Sequence, residues 1–382
     1  MEDQLTAPII QFFSIITDPR IERARRHPLL SILMIGLMST IAGGESYSDM
    51  EGFGEAHEEL LKSFLELPHG IPSHDTFQRV FSRIDPKELE RFLIEFTAHL
   101  GSKVPKRDDD SKVVAIDGKT LRRSYDRASS QTALHLVSAW SASTRLSLGQ
   151  VAVSDKSNEI TAIPELLKLL DIKGATITID AMGCQKNIAE EIRNRKADYV
   201  LALKKNHGNL YDDVSQLFAD HAVDNFAELE HSRFESVEKD HGRIETRTVI
   251  ATGDIAWSGA DAEWKDLNSF VRVTGTRTIG DKTTSEDRYY LSNLEPSAAK
   301  LAEAIRAHWG IENSVHWILD VQFKEDYSRV RRDHGPRNMA VLRKVSLNLL
   351  RLCPIPKKSL RRKRLLASWK PDYLLSLIFR GS

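Results

Sequence analysis

Through the first hundred residues the hydrophobic positions recur three and four apart, which predicts a helical segment. Behind Ser73, a potential N-cap, Phe77, Val80, Phe81 and Ile84 make one apolar stripe. Asp85-Pro86 then offers a second N-cap with proline at the first helical position, and Glu88 occupies the capping-box position. Leu89, Phe92, Leu93 and Phe96 line one face of the next helix. Such a pair suits a DNA-reading helix-turn-helix, although plain packing of two helices is its commoner use. The stretch from Leu29 to Gly44 is the most apolar in the chain, and Ser31, Ser39 and Thr40 interrupt it. A membrane span needs about 20 apolar residues, so a buried core helix is expected, with no membrane partner.

Gly101 to Lys112 is polar and reads as a linker, with Asp108, Asp109 and Asp110 as solvated chain. Beyond it the period changes. Val113 to Asp117 is a short apolar run ending in a carboxylate, and Ala133 to Ser141 and Arg145 to Val153 come next as strands. A helix is expected over 159–170, a strand over 176–180, a helix over 184–195 and a strand over 198–203. This β-β-β-α-β-α-β order predicts an α/β fold: a mixed sheet flanked by helices. Pieces such as Arg247 to Ala251 and Phe270 to Thr274 read as a β-rich insertion over about 225–292, after which helix returns near Ser297 and continues towards Asp320. The expected division is a helical unit over 1–105, an α/β unit over 112–350 and a basic tail over 351–382.

The 382 residues leave room for two or three domains, and 41% hydrophobic with 28% charged residues excludes a collagenous or fully disordered chain. Cys184 and Cys353 are too few for a disulfide framework or a cysteine-ligated zinc site. With no export signal behind Met1-Glu-Asp-Gln-Leu, a cytoplasmic setting is expected. The 54 basic and 54 acidic residues cancel, but Arg329 to Arg364 holds 13 bases and one acid, Asp333. A block this basic suits a polyanion, nucleic acid first, with a solvated helix face as the alternative.

Two predicted strands end in an aspartate and a turn, Ile116-Asp117-Gly118 and Ile179-Asp180-Ala181. Downstream, His308, Glu312, His316 and Asp320 fall four apart on one helical face. Asp117, Asp180 and Glu312, if they converge, suit two Mg²⁺ (or Mn²⁺) ions about 3.5–4 Å apart, the arrangement for in-line phosphoryl transfer. Taken singly, an aspartate after a strand serves as often to cap a turn.

The motifs Val113-Val-Ala-Ile-Asp-Gly-Lys-Thr-Leu-Arg-Arg-Ser124, Lys156-Ser-Asn-Glu-Ile-Thr-Ala-Ile-Pro-Glu-Leu-Leu167, Ile179-Asp-Ala-Met-Gly-Cys-Gln185 and His308-Trp-Gly-Ile-Glu-Asn313 stand in this order along the chain. With them the chain resembles the bacterial H-repeat-associated proteins, insertion-sequence transposases with a DDE triad on an RNase H-like fold. The resemblance spans nearly the whole chain, with the helical amino-terminal part matching the family's accessory domain. It implies Asp117, Asp180 and Glu312 as the catalytic triad, and metal-dependent cleavage and strand transfer at element ends. It also implies a homodimer or larger assembly on double-stranded DNA. Many relatives flank the catalytic glutamate with a Tyr seven before, an Arg four before and a Lys seven after; here Ile305, His308 and Leu319 stand there. The resemblance therefore does not extend to the handling of the second strand.

Expected phosphate contacts are Lys119, Arg122 and Arg123 after the first aspartate, Lys204 and Lys205 after a strand, and Arg243 in a ribbon with His241, Glu245 and Arg247. Arg306 and His308 near the glutamate join them, with Arg331, Arg332, Arg361, Arg362 and Arg364 of the basic block. Trp309 and Trp317 are expected in the core. Two other functions compete: a catalytically silent DNA-binding relic of a mobile element, and a hydrolase with a metal on His308, Glu312 and His316.

Overall fold

The apolar run at Leu29 has no polar face to offer water, so other elements must enclose it. In the computed structural model it is a helix whose residues 31–41 are all buried. The structure describes residues 8–105, 112–125, 132–153, 158–240, 242–353, 355 and 358–379. Asp108, Asp109, Asp110, Lys156, Ser157, His241, Lys357 and the first five residues lie outside the described residues. In chain order the first helices are α1 (Pro8–Ser14), α2 (Leu29–Ala42), α3 (Tyr47–Ala56), α4 (Glu58–Lys62), α5 (His74–Phe81) and α6 (Pro86–Ser102). Among the described residues no single helix is long and apolar enough to cross a membrane.

Local capping matches the sequence in part. Asp85 caps α6 by accepting from Lys87 N at 2.9 Å, with Pro86 at the first position. Ser73 stands at the N-cap of α5, but its hydroxyl meets Thr76 Oγ1 at 3.3 Å instead of a backbone amide. Glu88 closes no capping box: its carboxylate accepts from Thr17 N and Thr17 Oγ1, both at 2.8 Å, and ties the segment before α2 to α6.

The rest of the chain comprises β1 (Val113–Thr120), β2 (His135–Ser141), β3 (Ser147–Ala152), α7 (Glu159–Leu169), β4 (Thr176–Ile179), α8 (Lys186–Asn194), β5 (Asp198–Leu203) and α9 (Gly208–Ala222). Then come β6 (Ser232–Asp240), β7 (Arg243–Thr252), α10 (Ala260–Glu263), β8 (Ser269–Ile279), β9 (Lys282–Ser292) and α11 (Ala298–Ile311). A π-helical turn (Glu312–His316) leads into α12 (Trp317–Gln322), and α13 (Gly335–Leu352), α14 (Leu360–Trp369) and α15 (Pro371–Phe379) close the chain.

The described strands form one sheet in the order β3-β2-β1-β4-β5-β9-β8-β7-β6. β1, β2 and β3 are antiparallel, while β4 runs parallel to both β1 and β5. This is the mixed α/β architecture the pattern predicts, with the RNase H-like strand order. The strands of the β-rich segment belong to the same sheet. β9 pairs antiparallel with β5, Val200 opposite Ser292, so the segment continues the sheet across an edge that would otherwise expose unpaired backbone groups.

Among the described residues, most of the expected basic tail is helical. α14 and α15 pack on α2, and Leu374, Leu377 and Ile378 belong to the same apolar core as Ile32, Phe77 and Phe92. The first and last described helices thus build one helical layer, and α6 and α13 carry it onto β3. The α5–α6 pair buries Phe77, Val80, Phe81, Phe92 and Phe96 in this core.

Candidate active site

Ile116 of β1 lies opposite Ile179 of β4, so the parallel pairing brings Asp117 and Asp180 to neighbouring strand positions. α11 crosses β1 closely because Gly310 gives it room: a Cβ there would fall 2.3 Å from the Trp140 ring on β2. Glu312 opens the π-helical turn after α11 and is exposed. Ligand atoms of Asp117, Glu312 and His316 all lie within 4.8 Å of one another. Nε2 of His316, a residue only 4% exposed, stands 3.2 Å from Asp117 Oδ2, yet neither ring nitrogen makes a hydrogen bond.

Asp180 lies outside that group of three. Its Oδ1 accepts from Met182 N at 3.1 Å and Gly183 N at 3.4 Å, capping the short turn Ala181–Gly183. Burial, and then the carboxylates of Glu159 and Asp117, hold its carboxyl above the ordinary aspartate range. Negative charge is crowded here, and a proton or a cation relieves it. The sequence reading missed Glu159 and its partner. Glu159 Oε1 lies 2.7 Å from His135 Nε2, and His135 Nδ1 lies 2.7 Å from Thr120 Oγ1. A Cβ on Gly118 would fall 2.2 Å from Glu159 Oε1, so a glycine directly after Asp117 is what admits this pair. The signal was available in the run Lys156-Ser-Asn-Glu159, which stands among the motifs that carry the resemblance.

His308 points elsewhere. Its Nδ1 pairs with Thr178 Oγ1 at 3.0 Å, and burial holds its pKa down against the pull of Asp117 and Asp180. A neutral ring turned to β4 does not serve as a cationic phosphate contact, and a metal set of His308, Glu312 and His316 is not formed. Lys119 is also occupied. Its Nζ pairs with Asp320, and with Glu325 Oε2 at 2.8 Å, leaving the side chain 12% exposed.

The remaining cations divide by exposure. Arg122 is exposed beside Asp326 at 3.5 Å, Arg123 lies over the Tyr327 ring, and Arg331 lies over the Tyr125 ring while donating to Arg123 O at 3.1 Å. Arg332, Lys204, Lys205, Arg361 and Arg362 are exposed. Arg243 pairs with Glu245 at 2.9 Å and Arg306 with Glu238 at 2.7 Å. Arg364 is buried instead, donating to Thr40 O at 3.0 Å and stacking over Phe323. Arg343, Lys344 and Lys363 of the same block are buried too, so part of its charge is internal. Trp309 and Trp317 are not core residues. They are 45% and 55% exposed, off the stripe of Leu301, Ala304 and Ile305, and Arg288 lies over Trp309.

A family model described as "Transposase DDE domain" matches residues 108–349, and one described as "DDE_Tnp_1-associated" matches residues 10–97. The "Putative transposase YncI" of Escherichia coli O157:H7 is 40% identical over 93% of this chain and 90% of its own length. The "H repeat-associated putative transposase YhhI" of Escherichia coli (strain K12) is 39% identical over 97% of each chain. Among solved structures, a piggyBac transposase synaptic complex with hairpin DNA aligns with 99% of this chain and 80% of that one. Its TM-score is 0.41 at 12% identity, too slight a likeness to build on.

Proposed function

The chain belongs to the DDE transposase family, and on that premise we propose that it cuts the ends of its own insertion element and joins the freed 3′ ends to target DNA. The observation that carries this reading is convergence: Asp117 on a strand and Glu312 on a distant helix bring their carboxylates together, with Asp180 at the end of the adjoining strand.

Asp117, Asp180 and Glu312 would hold two divalent cations, Mg²⁺ or Mn²⁺. The donor set fits: burial and the neighbouring carboxylates of Glu159 and Asp117 raise Asp180, beside a buried imidazole with no hydrogen-bond partner. Bound cations supply activation of the attacking water or 3′-hydroxyl and stabilisation of the departing oxygen. The chain's own part is placement. β1 and β4 fix Asp117 and Asp180 on a rigid sheet, and exposed Glu312 leaves the site open to a phosphodiester. Arg122 and Arg123, directly after β1, and Arg331 and Arg332 would hold flanking phosphates. Lys204, Lys205, Arg361 and Arg362 would extend that contact along double-stranded DNA. Joining two element ends calls for a dimer or larger assembly on DNA, acting in the cytoplasm.

The test is cleavage and strand transfer on DNA carrying the element's own ends, with Mg²⁺ or Mn²⁺ against EDTA. Wild type is expected to produce 3′ ends and joined products, with Asp180→Ala and Glu312→Ala falling to background. DNA binding without cleavage in either metal would favour the silent relic. Cleavage that survives both substitutions would place the chemistry elsewhere.

A further inference from the structure

We infer that His316 is itself a cation ligand, forming with Asp117 and Glu312 a mixed nitrogen–oxygen site that prefers Mn²⁺ to Mg²⁺. This deepens the proposed function and rests on it. Four facts support the assignment. His316 sits four residues after Glu312 and shares its turn, so one backbone segment aims both donors the same way. Its ligand nitrogen and the two carboxylates fall within 4.8 Å of one another, close enough for a single ion to touch all three. The residue is 4% exposed, and neither ring nitrogen has a hydrogen-bond partner. Leaving a buried polar group unsatisfied is costly, so a histidine kept for packing alone would be expected to find a partner. Finally, Nε2 lies 3.2 Å from Asp117 Oδ2 without hydrogen-bonding to it, as two donors aimed at a common third point would.

The chemical consequence comes from donor type. Mg²⁺ takes oxygen donors and gives up water reluctantly, whereas an imidazole donor raises affinity for later first-row ions. A site with one imidazole and two carboxylates therefore ranks Mn²⁺ above Mg²⁺, and Zn²⁺ is expected to compete with both. Asp180, held by the Met182 and Gly183 amides and facing the charge of Glu159, stays outside this set.

The experiment titrates Mn²⁺ into the full chain without DNA, counting free ion by its solution EPR signal and examining bound ion by pulsed EPR for nitrogen-14 coupling. Wild type is expected to show the coupling. His316→Ala should lose it and bind Mn²⁺ at least about 10–100-fold more weakly, the loss that removing even a ligand's hydrogen-bond partner brings. His316→Asp should bind without nitrogen coupling and shift the preference to Mg²⁺. The wild-type spectrum is informative even if a variant misfolds. Bound Mn²⁺ without nitrogen coupling overturns the assignment, as does a coupling that persists in His316→Ala and vanishes in His308→Ala. If Asp117→Asn and Glu312→Gln still abolish binding in that case, the carboxylate site of the proposed function stands. Binding indifferent to all three residues overturns both.

Discussion

At the scale of single residues, one fully buried carboxylate gathers three cations. Burial pushes the Glu325 carboxyl up, yet Lys119, Lys344 and Arg343 together hold it at about 2. The same burial, only partly offset by Glu325, lowers Lys344 to about 8. Folded Glu325 therefore titrates below the free value of 4.5. Between those two pH values the unfolded chain binds a proton that the folded chain does not. Stability from this group is complete above pH 4.5 and drains away as pH falls towards 2, by about 3 kcal/mol if the whole shift is expressed. Urea midpoints measured from pH 7 down to pH 2 should show that slope in wild type. Glu325→Gln should lack it, and should cost about 3–5 kcal/mol at neutral pH by stranding buried cations. Equal slopes in the two proteins would remove Glu325 from this role. None of this was legible in the sequence. Lys119 reads as a loop cation two residues after a strand-end aspartate, and nothing local announces that its counter-charges, Asp320 and Glu325, arrive from two hundred residues away.

At the scale of elements, short apolar runs bounded by turn residues were readable almost to the residue. β5 spans 198–203 as its pattern predicts, and β4 stops one residue short of the expected end because Asp180 leaves the strand to cap the turn Ala181–Gly183. The acidic helix was harder. Spacing by four places His308, Glu312, His316 and Asp320 on one face, but a π-helical turn from Glu312 interrupts the helix. That change lies in backbone hydrogen bonding, which side-chain periodicity does not register. His308 thus meets β4, Glu312 and His316 meet Asp117, and Asp320 meets Lys119. Gly310 sets this geometry by letting α11 touch Trp140. Gly310→Ala should therefore force the helix off β2, costing about 1–3 kcal/mol by overpacking. Mn²⁺ affinity should fall with it, because Glu312 and His316 ride on the same segment. Replacing Trp140 by Leu in the same chain should recover both. A Gly310→Ala protein that loses stability but binds Mn²⁺ normally would show that the helix does not position the ligands.

At the scale of the whole molecule, the basic block shows why a charge count predicts less than it promises. Net charge says nothing about which side chains reach water, and here the apolar stripes of α14 and α15 draw the carboxyl end onto α2. α14 thereby acquires two faces: Lys363 and Arg364 turn inward to backbone carbonyls, while Arg361 and Arg362 stay exposed. The two faces make opposite predictions. A neutralised phosphate contributes about 0.9 to the slope of log affinity against log salt, so Arg361→Ala with Arg362→Ala should lower that slope by up to about 2. The folding midpoint should barely move. Arg364→Ala should leave the slope alone and lower the midpoint, since it strips Thr40 O of its donor and Phe323 of its stacked cation. Salt-dependent DNA affinity and thermal unfolding, measured on both proteins, separate the two uses of one helix. A reduced slope in Arg364→Ala, with no change in the double variant, would mean that the buried face opens on DNA and that the helical layer rearranges when the complex forms.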